Sequence, residues 1–360
     1  MRSTSALKDK TRAPEPPFTL RDLRRAIPDA CFRPSTTRSL AHLFFDIAVI
    51  GALYFTAIYL DDAYPRFTWY WMPLFWFAQG TMFWALFVVG HDCGHGSFSR
   101  RPTLNNFIGH VCHAPILVPY HGWRISHRIH HNNTGNVEHD ETWYPFTRKE
   151  HGTYPAFVRI LRFKLFPLLF PFYLIVVRRS PTYNNSHFLP SSDLFQPSER
   201  KAALASSLSV LLVLGALVGV GWFQGFLFVL KFYIVPYIVF VCWLDIVTYL
   251  HHTDRRLPWY RGEGWTFLKG ALSTMDRDYG RVLNFIHHDI GTHVAHHLFI
   301  GIPHYHLRTA TAAIKDVLGE YYNRSDESIA RALVNSVRDC RFVEDEGTMV
   351  HYKPKSELNS

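Results

Sequence analysis

Three short histidine clusters could do chemistry in this chain. His91-Asp92-Cys93-Gly94-His95 has the pattern HxxxH. His127-Arg128-Ile129-His130-His131 and His293-Val294-Ala295-His296-His297 are both HxxHH. On a helix, residues three and four apart share a face. Each cluster can therefore aim two or three imidazoles at one point. Eight neutral ring nitrogens are more than one metal ion needs, and two would use them well. Imidazole serves zinc, copper, iron and nickel alike, so the ligand type does not name the metal. A structural zinc site would be closed, four-coordinate and usually part cysteine. No ExxH occurs in the chain, so the carboxylate pattern of the di-iron bundles is absent.

The elements that must position these clusters are membrane helices. Of 360 residues, 48% are hydrophobic, yet mean hydropathy is only −0.04. That average mixes very apolar with very polar stretches. Leu40 to Leu60 is an apolar run of about the twenty residues that span a bilayer, and Asp61 and Asp62 end it. Phe67 to Gly90 is a second, opening on the aromatic belt of Trp69, Tyr70 and Trp71. Ala203 to Leu250 is long enough for two spans with a tight turn near Trp222-Phe223-Gln224-Gly225. Lys231 is expected to snorkel to that outer edge. Gly215 and Gly219 read as a helix-packing GxxxG. Phe163 to Val177 is apolar but broken by Pro167 and Pro171 and bracketed by Arg159, Arg162, Lys164, Arg178 and Arg179. It reads as lying in the interface, with a fifth span as the alternative. The first 35 residues are polar and basic, with Pro14, Pro16 and Pro17, and show no signal-peptide pattern. Thr19-Leu20-Arg21-Asp22 approximates a capping box for a short interfacial helix ending near Pro28.

Charge orients these spans. The net charge is +9, and no nucleic-acid motif accompanies it. Lys and Arg gather in the N-terminal segment and between His91 and Lys201, while Asp61 to Arg66 and Trp222 to Gly225 carry almost none. The positive-inside rule then places both termini, the long loop and all three clusters in the cytoplasm. The expected organisation is a cytoplasmic segment 1–39, a membrane hairpin 40–90, a loop 91–202 with the first two clusters, a second hairpin 203–250 and a cytoplasmic region 251–360. The five cysteines are odd in number, irregularly spaced and without CxxC, which argues against a disulfide framework or a cysteine zinc site. His42, standing alone, reads as interfacial packing.

A dinuclear site at a membrane edge, within reach of lipid chains, points to chemistry on hydrocarbon. Side chains cannot take hydrogen from an unactivated methylene, so the oxidising power must come from a metal, best iron, and oxygen. Here the text itself carries a resemblance, in Gly90 to Ser99, Pro115 to His131, Asp276-Arg277-Asp278-Tyr279-Gly280 and His287 to Phe299. From Pro17 to about Tyr322, the chain resembles the membrane-bound fatty-acid desaturases. More narrowly it is similar to the omega-3 (delta-15) branch of cyanobacteria and plastids, through Leu117-Val118-Pro119-Tyr120-His121-Gly122-Trp123-Arg124.

The resemblance implies an all-α integral membrane protein, with four transmembrane helices and a cytoplasmic helical cap holding a di-iron site. It implies oxygen-dependent insertion of a cis double bond near the methyl end of a C18 polyunsaturated acyl chain on a membrane glycerolipid. The implied iron ligands are His91, His95, His127, His130, His131, His293, His296 and His297, with His252 as the ninth. His287 is the second choice for that place, and His251 and His288 are possible supporting residues. Acyl-CoA members carry an asparagine one turn before the ninth ligand, where Thr248 stands here. Asp92 and Asp289 are the first candidates for orienting imidazole N–H groups, ahead of Asp140, Asp245, Asp276 and Asp278. Trp123, Arg124, Trp143 and Tyr144 could meet lipid headgroups or simply anchor the interface. The chain has neither the HPGG of a fused haem domain nor a credible dinucleotide loop, so electrons must come from a separate protein. The implied donor is a ferredoxin, with a haem cytochrome as the alternative, and the implied location is a bacterial or cyanobacterial membrane rather than plastid or endoplasmic reticulum. Other readings are an omega-6 desaturase, hydroxylase, acetylenase or carotenoid-modifying enzyme, a histidine-metal transporter or electron carrier, and a silent scaffold.

Overall fold

The computed structural model describes residues 15–175 and 185–358. Pro14 and the residues before it, and Val177, Arg178 and Arg179, lie outside the described residues. α1 (Leu20–Ala26) opens on the expected capping box, Thr19 and Asp22 each accepting from the other's backbone N–H. α2 (Thr36–Ala63) is capped by Ser35, and α3 (Thr68–His95) ends where Gly96 turns at φ 75°. α4 (Pro102–His113) and α5 (Tyr120–Asn133) run over the cap. α6 (Arg148–Thr153) and α7 (Ala156–Lys164) are short because Pro155 and Pro167 interrupt the run, and α8 (Phe170–Ile175), with Pro171 in its first turn, is described as far as Ile175. They form no fifth span among the described residues.

α9 (Arg200–Gln224) turns at Gly225 into a helix that runs as α10 (Phe226–Val229), a wider π turn and α11 (Val235–His252). Among the described residues, four helical stretches are long and apolar enough to cross a membrane: Thr36–Ala63, Pro65–His95, Arg200–Gln224 and Phe226–His252. They extend past the apolar runs because helix continues through the flanking polar turns. At 28 residues, α2 and α3 are each about 42 Å long, enough for hydrocarbon and part of the headgroup layer.

Their packing is unequal. α2 and α9 present Phe44, Phe55, Leu211, Leu212, Val218 and other large apolar side chains outward, as lipid-facing helices must. α3 is the inner helix. Its Phe83, Trp84, Phe87 and Val88 pack on Phe240, Val241, Leu244 and Val247 of α11. The hairpin turns meet at the far end, where Lys231 pairs with Asp61 and Thr68 donates to the same carboxylate at 2.8 Å. Lys231 is thus neutralised within the protein and does not reach outward alone. Gly215 and Gly219 pack on nothing, since a Cβ at either would meet no atom within 4 Å.

Because both hairpins turn at the far end, the C-termini of α3 and α11 arrive together at the other. There α12 (Phe267–Ala271), α13 (Arg281–Ile286), α14 (His293–Leu298), α15 (His304–Leu318) and α16 (Ile329–Asp339) complete the cap. Two strand pairs staple it. β1 (Pro258–Tyr260) runs antiparallel to the last strand, with Trp259 opposite Val350, and β2 (Asp276–Arg277) runs parallel to β3 (Arg324–Ser325). The buried face of α15 (Leu307, Ala310, Ile314) meets α14 and α1, closing the cap core over Val294, Ala295 and Leu298.

Candidate metal centre

Nine imidazoles turn their Nε2 atoms toward one another at the cap end. His91 and His95 come from the last turns of α3, His252 from the end of α11, three from α5 and three from α14. In the first group Nε2 atoms lie 3.1 Å apart for His95 and His91, 3.1 Å for His91 and His296, 3.2 Å for His296 and His131, and 3.0 Å for His131 and His127. In the second the separations are 3.4 Å for His130 and His252, 3.0 Å for His252 and His293, and 3.0 Å for His293 and His297. The eight boxed histidines and His252 thus form one group of five and one of four.

Each HxxHH divides between the groups instead of converging on one point. His127 and His131 go to the first group and His130 to the second, while His293 and His297 go to the second and His296 to the first. The reason is helical geometry. Residues four apart share a face, whereas neighbours are turned by about 100° around the axis.

This donor set fits two metal ions. Ligands at about 2.0–2.1 Å from one metal stand roughly 3 Å from each other, the separations found. Two ring tautomers are also fixed by neighbours. His130 Nδ1 donates to Asp140 Oδ1 at 2.7 Å, because a carboxylate only accepts. Thr134 spends its proton on the His130 carbonyl at 2.8 Å, so its oxygen accepts from His297 Nδ1 at 3.1 Å. Both rings therefore present a bare lone pair at Nε2. Burial, reinforced by repulsion from the other rings, holds His127, His131, His293, His296 and His297 well below the ordinary histidine value of 6.5. Neutral, converging imidazoles are what a divalent cation needs.

The supporting carboxylates differ from expectation. Asp92 touches imidazoles, with Oδ2 accepting from His304 Nδ1 at 2.9 Å and Oδ1 lying 3.6 Å from His91 Nδ1. Asp140 has the shorter contact to a group histidine. Asp289 pairs with Arg308 at 2.5 Å, and among the described residues no imidazole contact is found for it. Asp276 caps α14 through the Val294 N–H at 2.7 Å. Desolvation, partly offset by that bond, pushes its carboxyl up to about 6. Asp245 accepts the Phe170 N–H at 3.0 Å, and Asp278 serves Gly280 and Asn284.

Among the remaining histidines, His251 has both ring nitrogens engaged, with the Met275 carbonyl and the Tyr279 hydroxyl, and stacks on His293 at 4.3 Å. His287 sits in an aromatic box 4.7 Å from Trp243 and 5.4 Å from Tyr279, and His288 bonds Asp46 at 2.7 Å. Neither joins the two groups. Thr134 was not legible as a supporting residue, although it stands one helical turn after His130.

A cavity of about 490 Å³ opens onto the centre, within the size range of small-molecule pockets. His91, His127, His130, His252 and His293 form part of its wall. Trp84, Phe87 and Val88 of α3 line it too and are buried, whereas Leu161 of α7 and Phe172 of α8 are exposed. Trp123, Trp143 and Tyr144 also line the cavity, and Trp123 stacks on His127 at 4.4 Å. Their role as headgroup or interface residues gives way to that of a wall beside the imidazoles. The proline-broken segment after Pro155 supplies the outer wall.

A family model described as fatty acid desaturase matches residues 68–327. The chain is 54% identical over 352 residues to an sn-1 acyl-lipid omega-3 desaturase (ferredoxin) of Synechocystis sp., covering 96% of both chains. It is 55% identical over 341 residues to a protein of the same description from Nostoc sp., covering 95% of this chain and 92% of that one. An acyl-lipid omega-3 desaturase (cytochrome b5), endoplasmic reticulum, of Arabidopsis thaliana is 49% identical over 354 residues, covering 96% of this chain and 89% of that one. With two histidine groups at the cap end of four apolar helices, and a family match over more than half its length, the chain belongs to the fatty acid desaturase family.

Proposed function

We propose that this chain is an acyl-lipid omega-3 desaturase that takes two hydrogens from adjacent methylenes of a polyunsaturated C18 chain. One observation carries the reading: an apolar cavity with a buried inner wall and exposed residues at its outer side is lined by imidazoles of both histidine groups. A hydrocarbon chain with its methyl end against Trp84, Phe87 and Val88 would pass the imidazoles close to that end. The glycerol side would then lie toward Leu161, Arg162 and Phe172. This polarity suits a double bond placed near the methyl end, as in the named activity of the relatives.

His91, His95, His127, His131 and His296 would hold one iron, and His130, His252, His293 and His297 the other. Bound there, the two irons supply the reduction of O2 by two electrons and two protons to water, with the methylene pair giving up two hydrogens. The chain's own residues do the rest. Asp140 and Thr134 hold His130 and His297 in the tautomers that face inward. Trp123 fixes the plane of His127 by stacking. The aromatic wall aligns the acyl chain and excludes water.

The electron donor is a ferredoxin, as in the names of the cyanobacterial relatives, and a haem cytochrome is the second reading, favoured by the Arabidopsis relative. The histidine end faces the cytoplasm, with both termini on that side of a bacterial membrane. Expression in a host supplied with linoleate and an active donor tests the reading through fatty-acid methyl esters. A trienoic product with its new bond toward the methyl end is expected, and its absence rejects the activity. His130→Ala should abolish product while membrane insertion is unchanged. Persistence of product would reject the ligand assignment.

A further inference from the structure

We propose that His42, His288 and His304 form a third metal site, outside the two groups of the centre, for a divalent cation of the zinc class. The three rings come from separate elements: the second turn of α2, the turn after α13 and the start of α15. One ring nitrogen of each lies within 4.8 Å of those of the other two. Ring centroids are 4.6 Å apart for His42 and His304 and 4.5 Å for His288 and His304. Ligand pairs in the main centre have the same spacing, 4.5 Å for His91 and His95 and 4.6 Å for His130 and His252.

Protonation follows from the partners. Asp46 accepts from His288 Nε2 at 2.7 Å, and Asp92 accepts from His304 Nδ1 at 2.9 Å. Carboxylates can only accept, so the lone pairs are left on His288 Nδ1 and His304 Nε2. His304 Nε2 is buried with no partner among the described residues, a costly condition unless an ion completes it. A carboxylate behind a ligating imidazole is the arrangement that sets ring orientation and basicity at metal sites. Asp140 and His130 show it in the main centre.

The backbone is distorted to place His288. His288 and Asp289 have φ of 50° and 52°, a left-handed conformation that costs non-glycine residues energy and gathers at functional sites. Asp289 is engaged by Arg308 at 2.5 Å. Three imidazole nitrogens with an open fourth position suit zinc(II), which is indifferent to geometry and takes nitrogen ligands. Such an ion would clamp α2 to the cap beside the centre, since Asp92 faces both His304 and His91.

The test counts metals in the purified, iron-loaded protein in detergent, by mass spectrometry and by titration with cobalt(II), whose visible absorption reports the ligands. One equivalent of zinc or cobalt beyond the iron is expected. His42→Ala should weaken it tenfold or more, and His42→Ala with His288→Ala should remove it while the iron count holds. His42→Cys, which keeps a ligand in place, should retain the ion and add a thiolate-to-cobalt band. The proposal is overturned if no further equivalent binds to protein with its full iron, if the double variant keeps that equivalent, or if it loses iron instead. None of these readouts depends on desaturase activity.

Discussion

Asp140 offers the sharpest test of how the centre is held. Its side chain is fully buried. It accepts from His130 Nδ1 at 2.7 Å, from the Thr142 N–H at 3.1 Å and from the Gly135 N–H at 3.2 Å. Asp140→Ala leaves all three donors without that partner. At the low end of about 1–3 kcal/mol for each buried unpaired donor, the fold loses roughly 3 kcal/mol, a large share of the stability of an ordinary domain. Asp140→Asn keeps an acceptor toward His130 and Thr142 but removes the charge and sets its NH2 against the Gly135 N–H. Its cost should fall mainly on the metal, about 10- to 100-fold in affinity. Iron binding measured against a competing chelator, beside thermal unfolding in detergent, separates the two. The Asn variant should lose less thermal stability than the Ala variant, which leaves three donors unpaired, and should lose one of its two irons first, the one held by His130, His252, His293 and His297. If both variants hold two irons with unchanged affinity, Asp140 does not orient His130 and the argument fails.

Gly122→Ala would drive a Cβ into the backbone carbonyl of His187. It should cost on the order of 1–3 kcal/mol, whereas Gly152→Ala, at a helical position with nothing within 4 Å, should not lower the melting temperature and should raise it slightly. Trp84→Leu enlarges the inner end of the cavity. The double bond should move by one or two carbons or longer chains should be accepted, read by mass spectrometry of the products, and a change in yield alone would count against the assigned polarity. Chelator-stripped protein should lose stability as pH falls below 6.5. His127, His131, His293, His296 and His297 stay neutral in the fold well below that value, so the unfolded chain binds more protons there. The slope is on the order of 1.4 kcal/mol per pH unit for each such ring, and unfolding midpoints flat from pH 7.5 to 5 would refute it.

The four spans were legible because a bilayer demands about twenty apolar residues, and that requirement is written locally. The three clusters were legible because helical spacing is local too. The charge that placed them on one side agrees with the fold to the extent that α3 and α11 end together. Tertiary structure alone decided which histidine goes with which. The division of each HxxHH depends on the rotation of α5 and α14 about their axes, and only packing against α3 and α11 sets that rotation. The same holds for the supporting groups. Asp140 and Thr134 follow cluster residues closely in the chain, yet Asp92 serves His304 from 212 positions away, and His42 lost its isolation only when α13 and α15 closed over it. Local periodicity is set by neighbours along the chain, whereas a metal-sized gathering of side chains is set by how distant helices are turned against each other.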